Sequence, residues 1–181
     1  MIHADLMSYE IRERAIEEAE EVIDEHKRRS YENALVVFTT VEEDDVKDVD
    51  VVVDNASKEI IDVLNKVKAD VILLYPYAHL SPSLARPKAA LTTLIKLEEK
   101  LKSYGVEVSR APFGWYKAFT LICKGHPLSE LSKTIKPESK IVEVVKSEVE
   151  EGYYVLVEPS GEIVELDRQR PYDDRNVDKY P

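Results

Sequence analysis

The sequence lacks several features that mark whole classes of protein. It has a single cysteine, Cys123, which excludes an internal disulfide framework and any cysteine-rich zinc site. The four histidines, at positions 3, 26, 79 and 126, do not show the HxH or HExxH spacing of a metal site. We therefore expect neither a metal ion nor a cofactor. No stretch approaches the roughly 18 apolar residues that a transmembrane helix needs, so we expect no membrane partner.

Targeting signals and nucleotide-binding motifs are also missing. The first residues, MIHADLMSYE, have neither the basic nor the apolar region of a secretory signal, which favours a cytoplasmic protein. There is no GxxxxGK(S/T), GxGxxG or GxSxG motif. Nucleoside triphosphate hydrolysis, dinucleotide chemistry and serine hydrolase chemistry are therefore unsupported.

Charge is unevenly distributed along the 181 residues. The formal net charge of −11 argues against a general nucleic-acid binder, because phosphate binding rewards positive charge. Residues 71–137, however, contain 10 basic and 4 acidic residues, a net charge of +6. The flanking segments 1–70 and 138–181 are both acidic. Chance and solvated helix faces explain this pattern as readily as a function does.

Helix-forming and strand-forming segments alternate, which predicts a layered α/β domain. Residues 8–29 are rich in Glu, Ala and Arg and carry apolar residues with a 3.6 period, which favours a helix. A second helix is expected after an N-cap at Ser57. The remaining expectations are strands at 34–41, 70–75, 106–109 and 116–123, a helix at 87–103 and a short helix within 124–135.

The character of the sequence changes after Pro137, which predicts a domain over residues 1–136 and an appendage over 137–181. Within the appendage, YYVLVEPSGEIVEL (153–166) favours two short strands joined by a PSG turn. The last residues, from 168 onward, have no apolar period and are typical of a linker.

Two clusters hold the side chains that could do chemistry. YPYAHL (75–80) follows the strongest predicted strand and places His79 on a loop, as a base or orienting group, or as a cap of the next helix. Lys117 lies in an otherwise apolar strand within residues 111–131. It is either a partly buried cation aimed at an oxyanion or a solvent-facing lysine of an edge strand. Glu130 is either an acid or amine ligand on a short helix or a surface charge. Alternation places Cys123 on the same strand face as Lys117, where core packing is favoured over a thiol nucleophile.

Three strings, YPYAHLSPSLARP, APFGWYKAF and CKGHPLSELS, resemble the N-terminal editing domain of archaeal threonyl-tRNA synthetases. IHADLMSYE and VVFTTVE agree in order and spacing, so the resemblance covers about residues 1–136. It implies a D-aminoacyl-tRNA deacylase-like fold, in which a homodimer of β-sheets is flanked by helices. It also implies a strand within residues 7–15, at least in their first half, where propensity favours a helix.

The resemblance implies an aminoacyl-ester hydrolase that removes serine wrongly attached to threonine tRNA. The corresponding catalytic residues are Lys117 and His79. The implied substrate-binding residues are Tyr116, Glu130, Val41, Tyr77, Ala78 and Phe113, with Val41 and Tyr77-Ala78 lining the aminoacyl pocket and Phe113 shaping the site of the terminal adenosine.

The partners implied are the 3′ end of a tRNA carrying serine, a second copy of the chain, and a synthetase catalytic domain, fused or separate. Both site clusters fall in the basic middle segment, which suits a domain that touches only the end of the tRNA. Two other readings are a freestanding D-aminoacyl-tRNA deacylase and a non-catalytic tRNA-docking or dimerisation module.

Overall fold

The computed structural model describes residues 1–136 and two short strands, Tyr154–Val157 and Ile163–Leu166. The chain divides into two compact units, Met1–Ser139 and Lys140–Pro181. In the second unit the two short strands pair antiparallel, with Tyr154 opposite Leu166. The linker predicted from residue 168 onward lies outside the described residues.

A mixed five-stranded sheet organises the first unit, which confirms the α/β class. The strand order is β4-β3-β2-β1-β5, and β3 runs parallel to β2 and β4, whereas β1 runs antiparallel to β2 and β5. The helices follow β2 and β3 and supply the crossovers that parallel pairing requires. The elements are β1 Ile2–Arg14, β2 Arg28–Thr39, α1 Val49–Val67, β3 Val71–Pro76, α2 Pro87–Lys102, β4 Glu107–Arg110 and β5 Trp115–Cys123.

The interior strand β3 is buried on both faces, as its continuous apolar run predicts. Ile72 and Leu74 pack against α1 and α2, while Val71, Leu73 and Tyr75 face the opposite side of the sheet. None of the helices described here is long and apolar enough to cross a membrane.

The face of the sheet away from the helices curls into a concave, aromatic surface. Phe119 of β5 and Tyr75 of β3 are separated by two strands, which in a flat sheet would place them about 14 Å apart. Their ring centroids are only 5.7 Å apart, so the sheet must bend to bring β5 over β3. Phe38 and Tyr9 fill the space between these strands.

The helix expected over residues 8–29 is wrong. Residues 2–14 form β1, which pairs with strands on both sides, so long-range hydrogen bonds override local helix propensity. Met7 and Tyr9 are buried at the period of two that a strand requires. Residues 15–23 are not helical either, because Ala15 N–H donates to the Gly114 carbonyl (2.9 Å) and ties the segment to another loop. The strand implied by the family resemblance is confirmed.

Three other expectations need correction. The α1 helix begins at Val49 with Asp48 as its N-cap, and Ser57 is buried inside the helix, where its hydroxyl donates to the Asp54 carbonyl. The strand expected at 34–41 extends over Arg28–Thr39. No helix forms within residues 124–135, so Glu130 does not lie on one.

The segment 124–131 instead folds along the start of β1. His3 N–H donates to the Ser129 carbonyl (2.8 Å), and Leu131 N–H donates to the Met1 carbonyl (2.9 Å). Leu128 N–H donates to Nδ1 of His126, so the proton on that ring is on Nε2, which donates to Nδ1 of buried His3 (2.8 Å). These contacts consume the backbone groups that a helix would pair internally, which explains why the helix is absent.

Gly114 generates a stability prediction, because its φ of +80° lies in the left-handed region and an added Cβ would lie 2.7 Å from Ala19 Cα. Gly105 has a similar φ of +77° but no atom within 4 Å of an added Cβ. We expect Gly105→Ala to lower the free energy of unfolding by about 1–2 kcal/mol through backbone strain alone. Gly114→Ala should lower it further, because a backbone atom must also move. Urea unfolding of both variants measures the difference, and equal losses would contradict the clash.

Candidate functional site

A cavity of about 290 Å³ opens where the carboxyl ends of β2 and β3 meet the start of β5. Aromatic and aliphatic side chains form most of its wall, and polar groups enter from the strand ends. Seven of the eight residues predicted for the site line this cavity. They are Lys117, His79, Tyr116, Val41, Tyr77, Ala78 and Phe113.

Lys117 turns into the cavity, although β5 is an edge strand of the described sheet. Its Nζ donates to the carbonyls of Pro112 (2.8 Å) and Trp115 (2.9 Å) and lies 5.2 Å from the ring centroid of Tyr75. An ammonium has three N–H donors, so the hydrogen bonds within residues 1–136 leave one for a ligand. The solvent-facing alternative for this lysine is wrong.

Partial burial changes the acid–base behaviour of the cavity. Burial lowers the pKa of Lys117 to about 8, and the negative charge of Glu20 opposes that shift. Burial also raises the pKa of Tyr75 to about 12, so the phenol beneath the ammonium stays neutral. Near neutral pH the cavity therefore presents a cation that gives up its proton more readily than an exposed lysine.

His79 lies at the mouth of the cavity on the short 3-10 turn Ala78–Leu80. It is exposed, and its ring packs edge-on against Tyr77 with centroids 5.3 Å apart. The α2 helix begins after Arg86 without a side-chain cap, so His79 is not the cap of that helix. Exposed at the mouth, its ring can bind a ligand hydroxyl or a water.

Backbone contacts fix the wall that joins these groups. Tyr77 N–H donates to the Thr39 carbonyl (2.9 Å), and the Thr40 hydroxyl donates to the Tyr77 carbonyl. Ala85 N–H donates to the Val41 carbonyl (3.0 Å). The two loops that follow β2 and β3 therefore brace each other, which is typical of a site formed at strand ends.

Glu130 does not join the Lys117 cavity. It is exposed, pairs through its backbone with Ile2, and lines an adjoining cleft of about 800 Å³. The two cavities share Val41, Tyr77 and Phe119 as a common wall. Sγ of Cys123 lies 3.8 Å from Oε1 of Glu130.

Sequence reasoning missed Glu20 and Arg110. The 3.6 period over residues 8–29 predicts a helix in which Glu20 is one of several solvated carboxylates. In the structure its side chain turns inward to the loop at 112–115. No local signal marks this role, because it depends on a contact with residues about 90 positions away. Among the described residues, no group of three His, Cys, Asp or Glu is placed to hold a metal ion.

The fold and cavity together define a small α/β domain that holds a desolvated lysine in an aromatic cleft, an arrangement suited to a developing negative charge. The chain belongs to the Archaea-specific editing domain family of threonyl-tRNA synthetase, whose model matches residues 1–135. The family expected from the motif strings is thereby confirmed.

Similar proteins carry the name threonine–tRNA ligase. The chain is 45% identical over 175 residues to one from Thermococcus kodakarensis, and 47% identical over 181 residues to one from Staphylothermus marinus. These matches cover 93% and 99% of the chain, and 28% of each relative. A relative from Caldivirga maquilingensis is 49% identical over 90% of the chain and 26% of its own length. The chain therefore spans little more than a quarter of the ligases that it matches.

The lowered pKa of Lys117 predicts a pH-dependent stability. Between about pH 8 and pH 10 the unfolded chain keeps a proton that folded Lys117 has lost, so this residue makes stability rise with pH in that window. We expect the wild type to gain stability relative to Lys117→Met as the pH rises from about 7 to about 10. Urea unfolding at several pH values measures the difference. Lys96→Met is the control, because Lys96 pairs with Asp50 at the surface. A stability difference between the wild type and Lys117→Met that does not change with pH would contradict the burial of the ammonium.

Proposed function

We propose that this chain proofreads threonine tRNA by hydrolysing the ester that joins L-serine to the terminal ribose. The observation that carries the proposal is the Lys117 ammonium, which its acceptors among the described residues leave with one N–H for a ligand, in a cavity that His79 and Phe113 also line. The family matched by residues 1–135 and the three ligase relatives support an editing role.

The need for such a reaction follows from the size of the two amino acids. Serine and threonine differ by one methyl group, and a binding pocket gains only about 1–3 kcal/mol from that difference. A synthetic site alone therefore charges some serine by mistake, and a second, hydrolytic site is the physical remedy. In this proposal the Lys117 cavity is that second site, and it accepts the serine ester in preference to the ester that carries the extra methyl.

In the proposed reaction a water attacks the ester carbonyl. Lys117 stabilises the negative charge that develops on the carbonyl oxygen, using the N–H that no backbone carbonyl occupies. His79, exposed at the mouth, orients the ribose or the attacking water. The ester bond breaks, the ribose oxygen takes a proton, and serine leaves as the free acid.

The other site residues have binding roles in this proposal. Phe113 shapes the site of the terminal adenosine, Tyr116 lies beside the substrate, and the main chain of Val41, Tyr77 and Ala78 lines the aminoacyl pocket. Glu130 lines the adjoining cleft, and in this proposal the serine side of the ester extends past the shared residues into that cleft, where the carboxylate binds its amine or hydroxyl. The tRNA 3′ end is the only part of the RNA that needs to enter.

The charge distribution fits a domain that samples only that end. Most of the residues that line the cavity lie within residues 71–137, whose net charge is +6, while the whole chain has a net charge of −11. A local positive field attracts the terminal phosphates, and the acidic remainder discourages a broad grip on the RNA. In this proposal residues 1–136 are the editing domain, 137–181 begin the connection to a synthetase body, and the protein acts in the cytoplasm.

Substitution of Lys117 tests the proposal. We expect Lys117→Met to slow release of serine from preformed Ser-tRNA by about 100-fold or more, because the oxyanion loses its donor. Lys96→Met, on the outer side of α2, is the matched control and retains the wild-type rate. A wild-type rate for Lys117→Met would remove this residue from the mechanism. Faster cleavage of a D-aminoacyl ester would favour a D-aminoacyl-tRNA deacylase, and tRNA binding without release would favour a docking module.

A homodimer is part of the proposal, and the free edge of β5 supports it. Tyr116, Phe119 and Ile122 are 56%, 44% and 50% exposed on this strand, which is an edge of the described sheet. A second copy that pairs along β5 would cover these apolar side chains and the unpaired backbone groups beside them.

Charge placed on this edge tests the dimer. We expect Ile122→Asp to weaken self-association by tenfold or more, which corresponds to about 1.4 kcal/mol, because a carboxylate would be buried between the copies. Sedimentation velocity over a concentration series measures the effect. Leu128→Asp is the control, since Leu128 is 43% exposed but lies outside β5. A monomeric wild type, or equal effects of both variants, would rule out this interface.

A further inference from the structure

We propose that Glu20 is a positioning residue for Lys117, because its carboxylate fixes the turn at residues 112–115 whose two carbonyls hold the lysine ammonium. The catalytic consequence rests on the proposed hydrolase function, whereas the effect on the lysine itself does not. Glu20 lies in the segment between β1 and β2, outside the motif strings, and does not itself line the cavity.

Glu20 holds the turn at three points. Phe113 N–H donates to its Oε2 (2.6 Å), its own backbone N–H donates to the Phe113 carbonyl (3.2 Å), and the Trp115 indole N–H donates to its backbone carbonyl (2.9 Å). The same turn supplies Pro112 O and Trp115 O, the two acceptors of Lys117 Nζ. A shift of the turn therefore moves both acceptors, and the ammonium follows them.

Arg110 ties Glu20 to the rigid part of the fold. Its guanidinium donates two hydrogen bonds to the Glu20 carboxylate (2.5 and 2.8 Å) and a third, from Nε, to Glu98 of α2 (2.8 Å). The side chains of Arg110 and Glu20 are only 12% and 21% exposed, so solvent screens their pairing little. Because Arg110 ends β4, the turn is anchored to both the sheet and a helix.

Glu20 also acts on Lys117 through its charge. Burial lowers the pKa of the Lys117 ammonium, and the Glu20 carboxylate works against this shift. The other titratable groups that line the cavity are Tyr75 of β3, Tyr77 and His79 of the following loop, and Tyr116 of β5. Arg110 of β4 pairs with Glu20, and β1 contributes apolar Ile11 opposite Lys117. Removal of the Glu20 charge should therefore make Lys117 lose its proton at a lower pH.

Glu21 provides a matched control one position away. Its side chain is 93% exposed and pairs only with Arg14 among the described residues (2.7 Å). Glu20→Gln and Glu21→Gln remove the same charge from adjacent positions. The glutamine at position 20 can still accept the Phe113 N–H, so the comparison separates the charge of the carboxylate from its shape.

The experiment measures Lys117 in the full chain with and without substrate. NMR titration of chain labelled at lysine Cε, with the Lys117 signal assigned by its absence from Lys117→Met, gives the midpoint of its deprotonation. We expect a midpoint near pH 8 in the wild type and in Glu21→Gln, and a lower one in Glu20→Gln. Single-turnover serine release from Ser-tRNA should be about 10- to 100-fold slower at neutral pH in Glu20→Gln, with its alkaline limb moved to lower pH by the same amount.

Each outcome decides the matter. Equal midpoints of Lys117 deprotonation in folded wild type and Glu20→Gln would overturn the proposal. Slower serine release by Glu20→Gln with the same pH profile as the wild type would also overturn it. If Glu20→Gln does not fold, Glu20→Asp replaces it: the charge remains, so the midpoint should stay near pH 8 while the shorter arm slows release. An unchanged rate in Glu20→Asp, or a displaced midpoint, would overturn it too. A lowered midpoint in Glu20→Gln without serine release by the wild type would leave the positioning role standing and reject the hydrolase.

Discussion

An ammonium group removed from water requires acceptors that do not move, and the arrangement around the cavity meets this requirement. Lys117 Nζ receives two of its acceptors from backbone carbonyls, at Pro112 and Trp115. Carbonyls of a short turn are good acceptors only if the turn is fixed. The left-handed Gly114, packed against Ala19, and the Glu20 carboxylate fix it from one side. The long segment between β1 and β2 therefore serves as a brace for the site.

The curl of the sheet gives this ammonium its surroundings. If the sheet were flat, β5 would be separated from β3 by the full width of β2 and β1, and Lys117 would face water. Bending brings Phe119 against Tyr75 and places the lysine above the Tyr75 ring.

Sequence patterns predict the elements that neighbouring residues alone identify, such as a continuous apolar run or an amphipathic period. The run VILLY predicts β3, and the amphipathic period over 87–103 predicts α2. The ends of both elements agree with the structure to within one or two residues. The two clusters contain six of the seven predicted residues that line one cavity, because loops after strands converge at the same edge. β1 was missed on propensity because its hydrogen bonds come from residues up to 119 positions away. Glu20 could not be found from the sequence for the same reason, and Glu130 was assigned to a helix that contacts with β1 prevent.

The central claim is chemical selectivity: this domain cleaves the ester of the smaller amino acid and spares that of the larger one. The most direct measurement is single-turnover hydrolysis of L-seryl and L-threonyl esters on the same threonine tRNA by the same preparation. The account predicts faster release of serine by about 10- to 200-fold, the limit that one methyl group sets for a pocket of this kind. Equal rates for the two esters, or no release of either, would contradict it.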